Sequence, residues 1–128
     1  MKEYTIYGVK INIALEHGVW KLSDESAIGK SYLCSLLKDL RRTGIPVFGY
    51  TYNDIVDGID LASNLVKDKY EVILLDRYDL YQDLCRPEIF SCAKNSIILV
   101  DYKQDRDFPY IDYCFIDRPS ETCIEVSR

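Results

Sequence analysis

The sequence predicts an α/β fold of three layers, α/β/α, with a mostly parallel sheet and added antiparallel strands at both termini. Two uninterrupted apolar runs, residues 72–75 and 97–100, are typical of strands that helices cover on both faces. Residues 29–43 carry apolar side chains at helical spacing. Segments near both ends alternate apolar and polar side chains, as half-buried strands do. We therefore expect one domain spanning residues 1–128.

Composition narrows the classes of function. Sixteen Lys and Arg against 21 Asp and Glu give a formal net charge of −5. Such an acidic chain lacks the basic patches on which nucleic-acid binding rests, so a nucleic-acid partner is disfavoured. No apolar run approaches the roughly 20 residues of a membrane helix, and the start has no signal-peptide pattern. We expect a soluble cytoplasmic domain without a membrane partner.

The cysteine pattern agrees with that compartment. There are five cysteines and no C-x-x-C pair, which indicates neither a disulfide framework nor a zinc site. Reduced, mostly buried thiols are the expectation. The single histidine, His17, stands far in sequence from Cys34, which disfavours a Cys–His nucleophile.

The first elements follow from alternation and then from helical spacing. Alternation on either side of Gly8 predicts a β-hairpin, and residues 19–22 form a short third strand. Leucines at helical spacing then predict a helix over residues 29–43, with Arg41 and Arg42 in its last turn, where cations suit the helix dipole. Gly44 follows at the position where helices commonly end.

The second half alternates between strands and helices, which predicts βαβ units and a mostly parallel core. The predicted strands are residues 45–50, 72–75 and 97–100, the predicted helices are residues 57–68, 78–84 and 87–94, and residues 113–116 and 123–126 form a closing hairpin.

A short motif joins the third strand to the first helix. Residues 22–31 end in Gly29-Lys30-Ser31, the tail of a phosphate-binding loop. Glycine lets the backbone approach phosphate oxygens, lysine supplies a cation, and the serine hydroxyl can bind Mg²⁺. The start of the following helix directs free N–H groups at the anion. About 45 residues later, an apolar strand ends in Asp76.

This order of loop, helix, apolar strand and aspartate resembles a P-loop NTPase over roughly residues 10–101, and the preceding antiparallel strands are similar to the ABC-ATPase and related branches. The resemblance implies binding of ATP or GTP with Mg²⁺. It implies that Ser31 and Asp76 hold the metal, Asp76 through water. It also implies that Asp101 occupies the family's polar sensor position. The implied phosphate-binding residues are Ser26, Ala27, Ile28, Gly29, Lys30, Ser31 and Tyr32.

The chain departs from the family pattern at three positions. Asp24 replaces the first glycine of the motif, and Glu25 adds a second carboxylate. At about 7 Å and an effective dielectric constant of about 20, each carboxylate repels a phosphate charge by roughly 2 kcal/mol. Arg77 follows Asp76, where the related branches usually have a catalytic glutamate. No strong catalytic base is present, and Asp101 and Glu25 are the weak candidates to position water.

The sequence therefore predicts a small, divergent nucleotide-binding domain whose hydrolysis is weak or depends on a protein partner or a second copy of the chain. Two alternatives stay open. The chain is a non-catalytic binding or regulatory module that has lost nucleotide, since fold does not imply function. Otherwise it is a flavodoxin-like regulator in which Asp24, Glu25 and Asp76 form an acidic Mg²⁺ or phospho-acceptor cluster.

Overall fold

The computed structural model describes residues 1–23, 29–67, 69–84, 87, 91–102, 110 and 112–128. Within these residues the elements are β1 (Lys2–Ile6), β2 (Val9–Ala14), β3 (Gly18–Leu22), α1 (Lys30–Arg42), β4 (Val47–Tyr50), α2 (Tyr52–Val56), α3 (Leu61–Lys67), β5 (Val72–Leu75), two 3₁₀ turns (Tyr78–Leu80 and Gln82–Leu84), β6 (Ile97–Val100), β7 (Asp112–Ser120) and β8 (Cys123–Ser127).

One mixed sheet contains all eight strands, in the order β1-β2-β8-β7-β3-β6-β5-β4. The pairs β1–β2 and β7–β8 are antiparallel, and every other neighbouring pair is parallel. The sheet curls into a half-barrel. The hairpins from the two ends of the chain meet in it, because β8 lies between β2 and β7.

In the part of the sheet that β1, β2, β7 and β8 form, side chains are buried on one face only. Ile11, Ile13, Ile124 and Val126 are fully buried in a core that also contains the leucines of α1. The alternate side chains of these strands are exposed or only partly buried. The alternation in the sequence predicted this one-sided burial, since successive side chains of a strand point to opposite faces.

The strands β4, β5 and β6 are buried along their whole length. Their side chains divide between two apolar clusters. One cluster includes the leucines of α1, and the other includes Leu61 and Leu65 of α3 together with tyrosines of the 3₁₀ region. The predictions that residues 72–75 and 97–100 form doubly buried strands are confirmed.

The predicted three-layer α/β/α fold with a mostly parallel sheet is wrong. Strands dominate the described residues, in which the sheet is mixed and curled and three short α-helices have defined bounds. The predicted helix over residues 87–94 lies partly outside the described residues. Residues 78–84 form two 3₁₀ turns instead of a helix, and the predicted helix over residues 57–68 contains only Leu61–Lys67 in the described part. On the terminal strands, the side chains that alternate with the buried ones are mostly exposed, so none of the described helices covers that face.

The helix α1 is the longest described helix and confirms the prediction for residues 29–43 within one residue at each end. It packs very closely on β4. A Cβ atom built on Gly49 would lie 2.7 Å from the Cys34 carbonyl oxygen and 3.0 Å from the Cys34 Sγ. Only glycine allows this approach, so Gly49 sets the distance between α1 and the sheet.

Among the described helices, none is both long enough and apolar enough to cross a membrane.

Candidate functional site

The candidate site begins where α1 begins. Gly29 has φ +104°, in the left-handed region that favours glycine, and its carbonyl accepts a hydrogen bond from the Leu33 N–H at 2.7 Å. Of the sequence-predicted site residues, Gly29, Lys30, Ser31, Tyr32, Asp76 and Asp101 are described. Glu25, Ser26, Ala27 and Ile28, together with Asp24, lie outside the described residues.

Lys30 forms an ion pair with Asp101. The Lys30 Nζ lies 3.0 Å from the Asp101 Oδ1, and their side chains are only 5% and 2% exposed. The second carboxylate oxygen, Oδ2, accepts a hydrogen bond from the Arg77 N–H at 3.3 Å. Charges buried this deeply require partners, and removing one partner of such a pair typically costs about 3–5 kcal/mol.

Sheet topology explains why these two residues meet. Lys30 follows β3 and Asp101 follows β6, and β3 and β6 are parallel neighbours. From β3 the chain runs to the edge strand β4, whereas from β6 it runs to β7, on the opposite side of β3. Connections that diverge from adjacent parallel strands leave a crevice at their carboxyl ends, where α/β proteins commonly bind ligands. The ion pair lies at this divergence.

The first turn of α1 also presents exposed groups. Ser31 is exposed and Tyr32 is 37% exposed. The Arg118 guanidinium lies 4.9 Å from the centre of the Tyr32 ring, and a Cβ atom on Gly29 would lie 3.7 Å from the Arg118 Cδ. The β7–β8 hairpin thus brings a second cation beside the start of α1. No local motif in the sequence marks Arg118, because its proximity to α1 arises from the pairing of β7 beside β3.

Asp76 is half-buried just after β5. Its backbone N–H donates to the Tyr50 carbonyl at 2.9 Å, and its carbonyl accepts a hydrogen bond from the Tyr81 hydroxyl at 2.6 Å. The following residue, Arg77, has φ 50° and donates two hydrogen bonds to Asp79, at 3.1 and 3.2 Å. These hydrogen bonds raise the pKa of Arg77, and its guanidinium is fully charged.

Two buried thiols flank the site without contributing a nucleophile. Burial raises the pKa of Cys34 to about 12, and the negative charge of Asp76 acts in the same direction. Burial also raises the pKa of Cys114 to about 12, although the nearby Lys30 charge opposes it. Both thiols are free and protonated at neutral pH, so neither is activated for catalysis.

In the described part of the chain, no group of three or more His, Cys, Asp or Glu side chains could hold a metal ion. Ser31 and Asp76 therefore remain predicted Mg²⁺ ligands only in combination with a nucleotide. The alternative acidic cluster depends on Asp24 and Glu25, which lie outside the described residues.

Comparisons of the chain with protein-family profiles, with curated proteins and with solved structures found no match.

Proposed function

We propose that this chain is a small, divergent P-loop domain that binds ATP or GTP with Mg²⁺ at the start of α1. The observation that supports this most is the buried Lys30–Asp101 pair at the divergence of β3 and β6, directly after a left-handed Gly29. Lysine is almost never fully buried unless its charge is paired, as the Lys30 charge is with Asp101. A phosphate at this helix start would meet both the Lys30 ammonium group and the N–H groups of the first turn.

The residues around Lys30 divide the work of binding. Gly29 and Lys30 contact the phosphates, while Ser31 and Asp76 hold Mg²⁺. Arg118, stacked on Tyr32, adds positive charge at the exposed side of the helix start. This charge offsets part of the repulsion from Asp24 and Glu25. When bound, Mg²⁺ would neutralise part of the negative charge of the phosphates and of the Asp24 and Glu25 carboxylates.

Asp101 competes with a bound phosphate for Lys30. Its carboxylate holds Lys30 at 3.0 Å, so a phosphate has to compete with it for the ammonium group. Asp101 and Glu25 are the weak candidates to position an attacking water. The described partners of the Asp101 carboxylate, the Lys30 ammonium and the Arg77 N–H, are both donors and do not make it a stronger base, and Glu25 lies outside the described residues. Substantial turnover therefore requires a protein partner or a second copy of the chain to complete the site.

One observation favours a second candidate, a binding or regulatory module that no longer takes nucleotide. The Lys30 charge is already matched by the Asp101 carboxylate in a buried pair. In such a module the pair is purely structural, and the phosphate site is closed.

Nucleotide titration separates the two candidates. Thermal unfolding is followed while ATP or GTP is added with Mg²⁺ to the wild type and to the double variant Lys30→Met/Asp101→Asn, which removes both charges and leaves no buried carboxylate unpaired. A ligand that binds only the folded state raises Tm in proportion to ln(1 + [L]/Kd). We expect a rise in the wild type and none in the double variant. Lys10→Met, at an exposed lysine of β2, is the control that keeps the rise. An unchanged wild-type Tm at 10 mM nucleotide, a limit set to about ten times a 1 mM Kd, supports the second candidate.

The loop charge gives a companion experiment. Asp24→Gly restores the family pattern and removes a carboxylate, whereas Asp24→Asn removes the charge alone. We expect both variants to bind nucleotide more tightly, by roughly tenfold or more if about 2 kcal/mol of repulsion is relieved. Unchanged affinity in both would show that charge in this loop does not limit binding.

A further inference from the structure

A cavity of about 290 Å³ lies beside the edge strand β4, against the last two turns of α1. Its lining residues are Lys38, Arg41, Arg42, Phe48, Gly49, Tyr50, Asp54 and Ile59. Lys38 stands eight residues beyond Lys30, which is about 12 Å along the helix axis. The cavity is therefore a separate place from the Lys30–Asp101 pair.

Cations dominate the charged side chains of this cavity. Three basic residues and one acidic residue line it, in a chain whose formal net charge is −5. The acidic residue, Asp54, is already engaged inside the protein. It contacts the Lys38 Nζ at 2.7 Å and accepts hydrogen bonds from the Thr51 N–H at 2.8 Å and the Thr51 hydroxyl at 3.2 Å.

Arg41 is held in a fixed orientation at the cavity wall. Its guanidinium lies 4.8 Å from the centre of the Phe48 ring and 5.5 Å from that of Tyr70. Its Nη2 donates to the Asn64 Oδ1 at 2.9 Å. Because these contacts already order the guanidinium, ligand binding costs little further side-chain entropy of Arg41.

Arg42 and Ile59 complete the wall, Arg42 with an exposed cation and Ile59 with apolar surface. The Arg42 side chain is 78% exposed, and its ion pair with Asp39 at 2.8 Å is a surface contact of the kind worth under about 1 kcal/mol. Arg42 can thus exchange Asp39 for another anion at small cost. Ile59 is 40% exposed and offers apolar area to a ligand.

We propose that this cavity binds a small organic oxyanion, a carboxylate or phosphate ester with one apolar group. The acidic group of the ligand contacts Arg41 and Arg42. A guanidinium group can donate two parallel hydrogen bonds to two oxygens of a carboxylate or phosphate. The apolar group lies against Ile59. The volume of 290 Å³, at the lower limit of common ligand sites, restricts the ligand to about the size of one substituted ring.

The test uses defined probes and backbone amide NMR. Phenyl phosphate and benzoate represent the two oxyanions, inorganic phosphate carries charge without an apolar group, and benzyl alcohol carries the ring without charge. We expect phenyl phosphate, benzoate or both to shift the amide signals of Gly49 and Ile59, with inorganic phosphate and benzyl alcohol at least tenfold weaker. Signals of Gly29 report separately on the proposed nucleotide site.

Matched arginine variants locate the binding. Arg42→Gln is expected to weaken the better probe about tenfold, since a charge-assisted hydrogen bond is lost. Arg128→Gln removes another exposed arginine that pairs with an aspartate, and is expected to leave affinity unchanged. Shifts that persist at Gly49 in Lys30→Met/Asp101→Asn support the proposal independently of nucleotide binding. The proposal is overturned if no probe shifts Gly49, if Arg42→Gln binds as the wild type does, or if inorganic phosphate binds as tightly as phenyl phosphate.

Discussion

At the scale of single residues, the buried contact between Lys30 and Asp101 couples the start of α1 to the end of β6. The two residues are 71 positions apart in the chain, and both side chains are almost completely shielded from water. Because both charges are buried, the pair contributes less net stability than its distance suggests, while its disruption is costly. Its removal is therefore most informative when one partner and both partners are changed in turn.

Lys30→Met is expected to lower the free energy of unfolding by about 3–5 kcal/mol, because the buried Asp101 carboxylate loses its cation. The double variant Lys30→Met/Asp101→Asn is expected to recover at least half of that loss. Urea unfolding followed by far-UV circular dichroism measures both. If the single and double variants were equally unstable, the loss would belong to packing of the Lys30 stem and not to charge.

The buried thiols predict a loss of stability at high pH. The pKa of Cys34 and of Cys114 is raised to about 12 in the folded protein, against about 8.5 for an exposed thiol. The folded state therefore keeps these protons when the unfolded state releases them. Their stabilising contribution is complete below about pH 8.5 and declines as pH rises towards 12.

Urea unfolding at pH 7, 9 and 10.5 measures that decline in the wild type and in Cys34→Ala/Cys114→Ala. The variant is expected to be less stable at pH 7, because it leaves cavities, but to lose less stability between pH 9 and 10.5. Equal slopes for the two proteins would contradict the assignment to these thiols.

At the scale of elements, the packing of α1 on β4 depends on a single glycine. A Cβ atom at Gly49 would collide with the backbone carbonyl of Cys34, which no rotamer change can relieve. α1 carries Lys30 at its start and the cationic cavity wall at its end, so a shift of this helix would disturb both proposed sites.

Gly49→Ala is expected to lower the free energy of unfolding by about 3 kcal/mol, the upper range for overpacking. Gly44→Ala is the control. Nothing lies within 4 Å of a Cβ atom at Gly44, whose φ is +95°, so that variant is expected to lose only about 1 kcal/mol from backbone strain. Equal losses in urea unfolding would mean that α1 can move away from β4 without cost.

Which elements could be predicted depended on the strength of the local pattern. The leucine spacing of α1 and the apolar runs of β5 and β6 located those elements almost to the residue. Residues 78–84 were predicted to form a helix but fold as 3₁₀ turns, held by contacts such as the hydrogen bond from the Tyr78 N–H to the Asp101 carbonyl at 2.9 Å. Such long-range contacts are not visible in a local sequence pattern. The position of Arg118 beside Tyr32 depends on a contact of the same kind, the pairing of β7 with β3.

At the scale of the whole molecule, the position of β8 joins the two ends of the chain. Local pattern predicted a hairpin at each end, but nothing in either hairpin indicated that β2 and β8 pair in parallel. That pairing joins the two hairpins into one curled sheet, whose buried face forms the larger apolar core. It is the main reason why the predicted three-layer arrangement failed.

Ile124→Ala is expected to lower the free energy of unfolding by about 2–5 kcal/mol, because Ile124 is fully buried in the strand that joins the hairpins. Glu125→Ala, at the adjacent exposed position, is expected to change it by less than about 0.5 kcal/mol. Trp20 fluorescence and circular dichroism are expected to report the same urea midpoint. Similar effects of the two substitutions would show that β8 is not integral to the core.

The pairing of β2 with both β1 and β8 has a consequence for how the chain can be reconnected. Lys2 lies opposite Ile13, and Ile13 lies opposite Val126, so the first and last strands are two strand spacings apart, about 10 Å. A linker of about four residues would span that gap. A circular permutant with new ends opened in the exposed turn at Glu121 and Thr122 would then keep every strand neighbour that the native order provides.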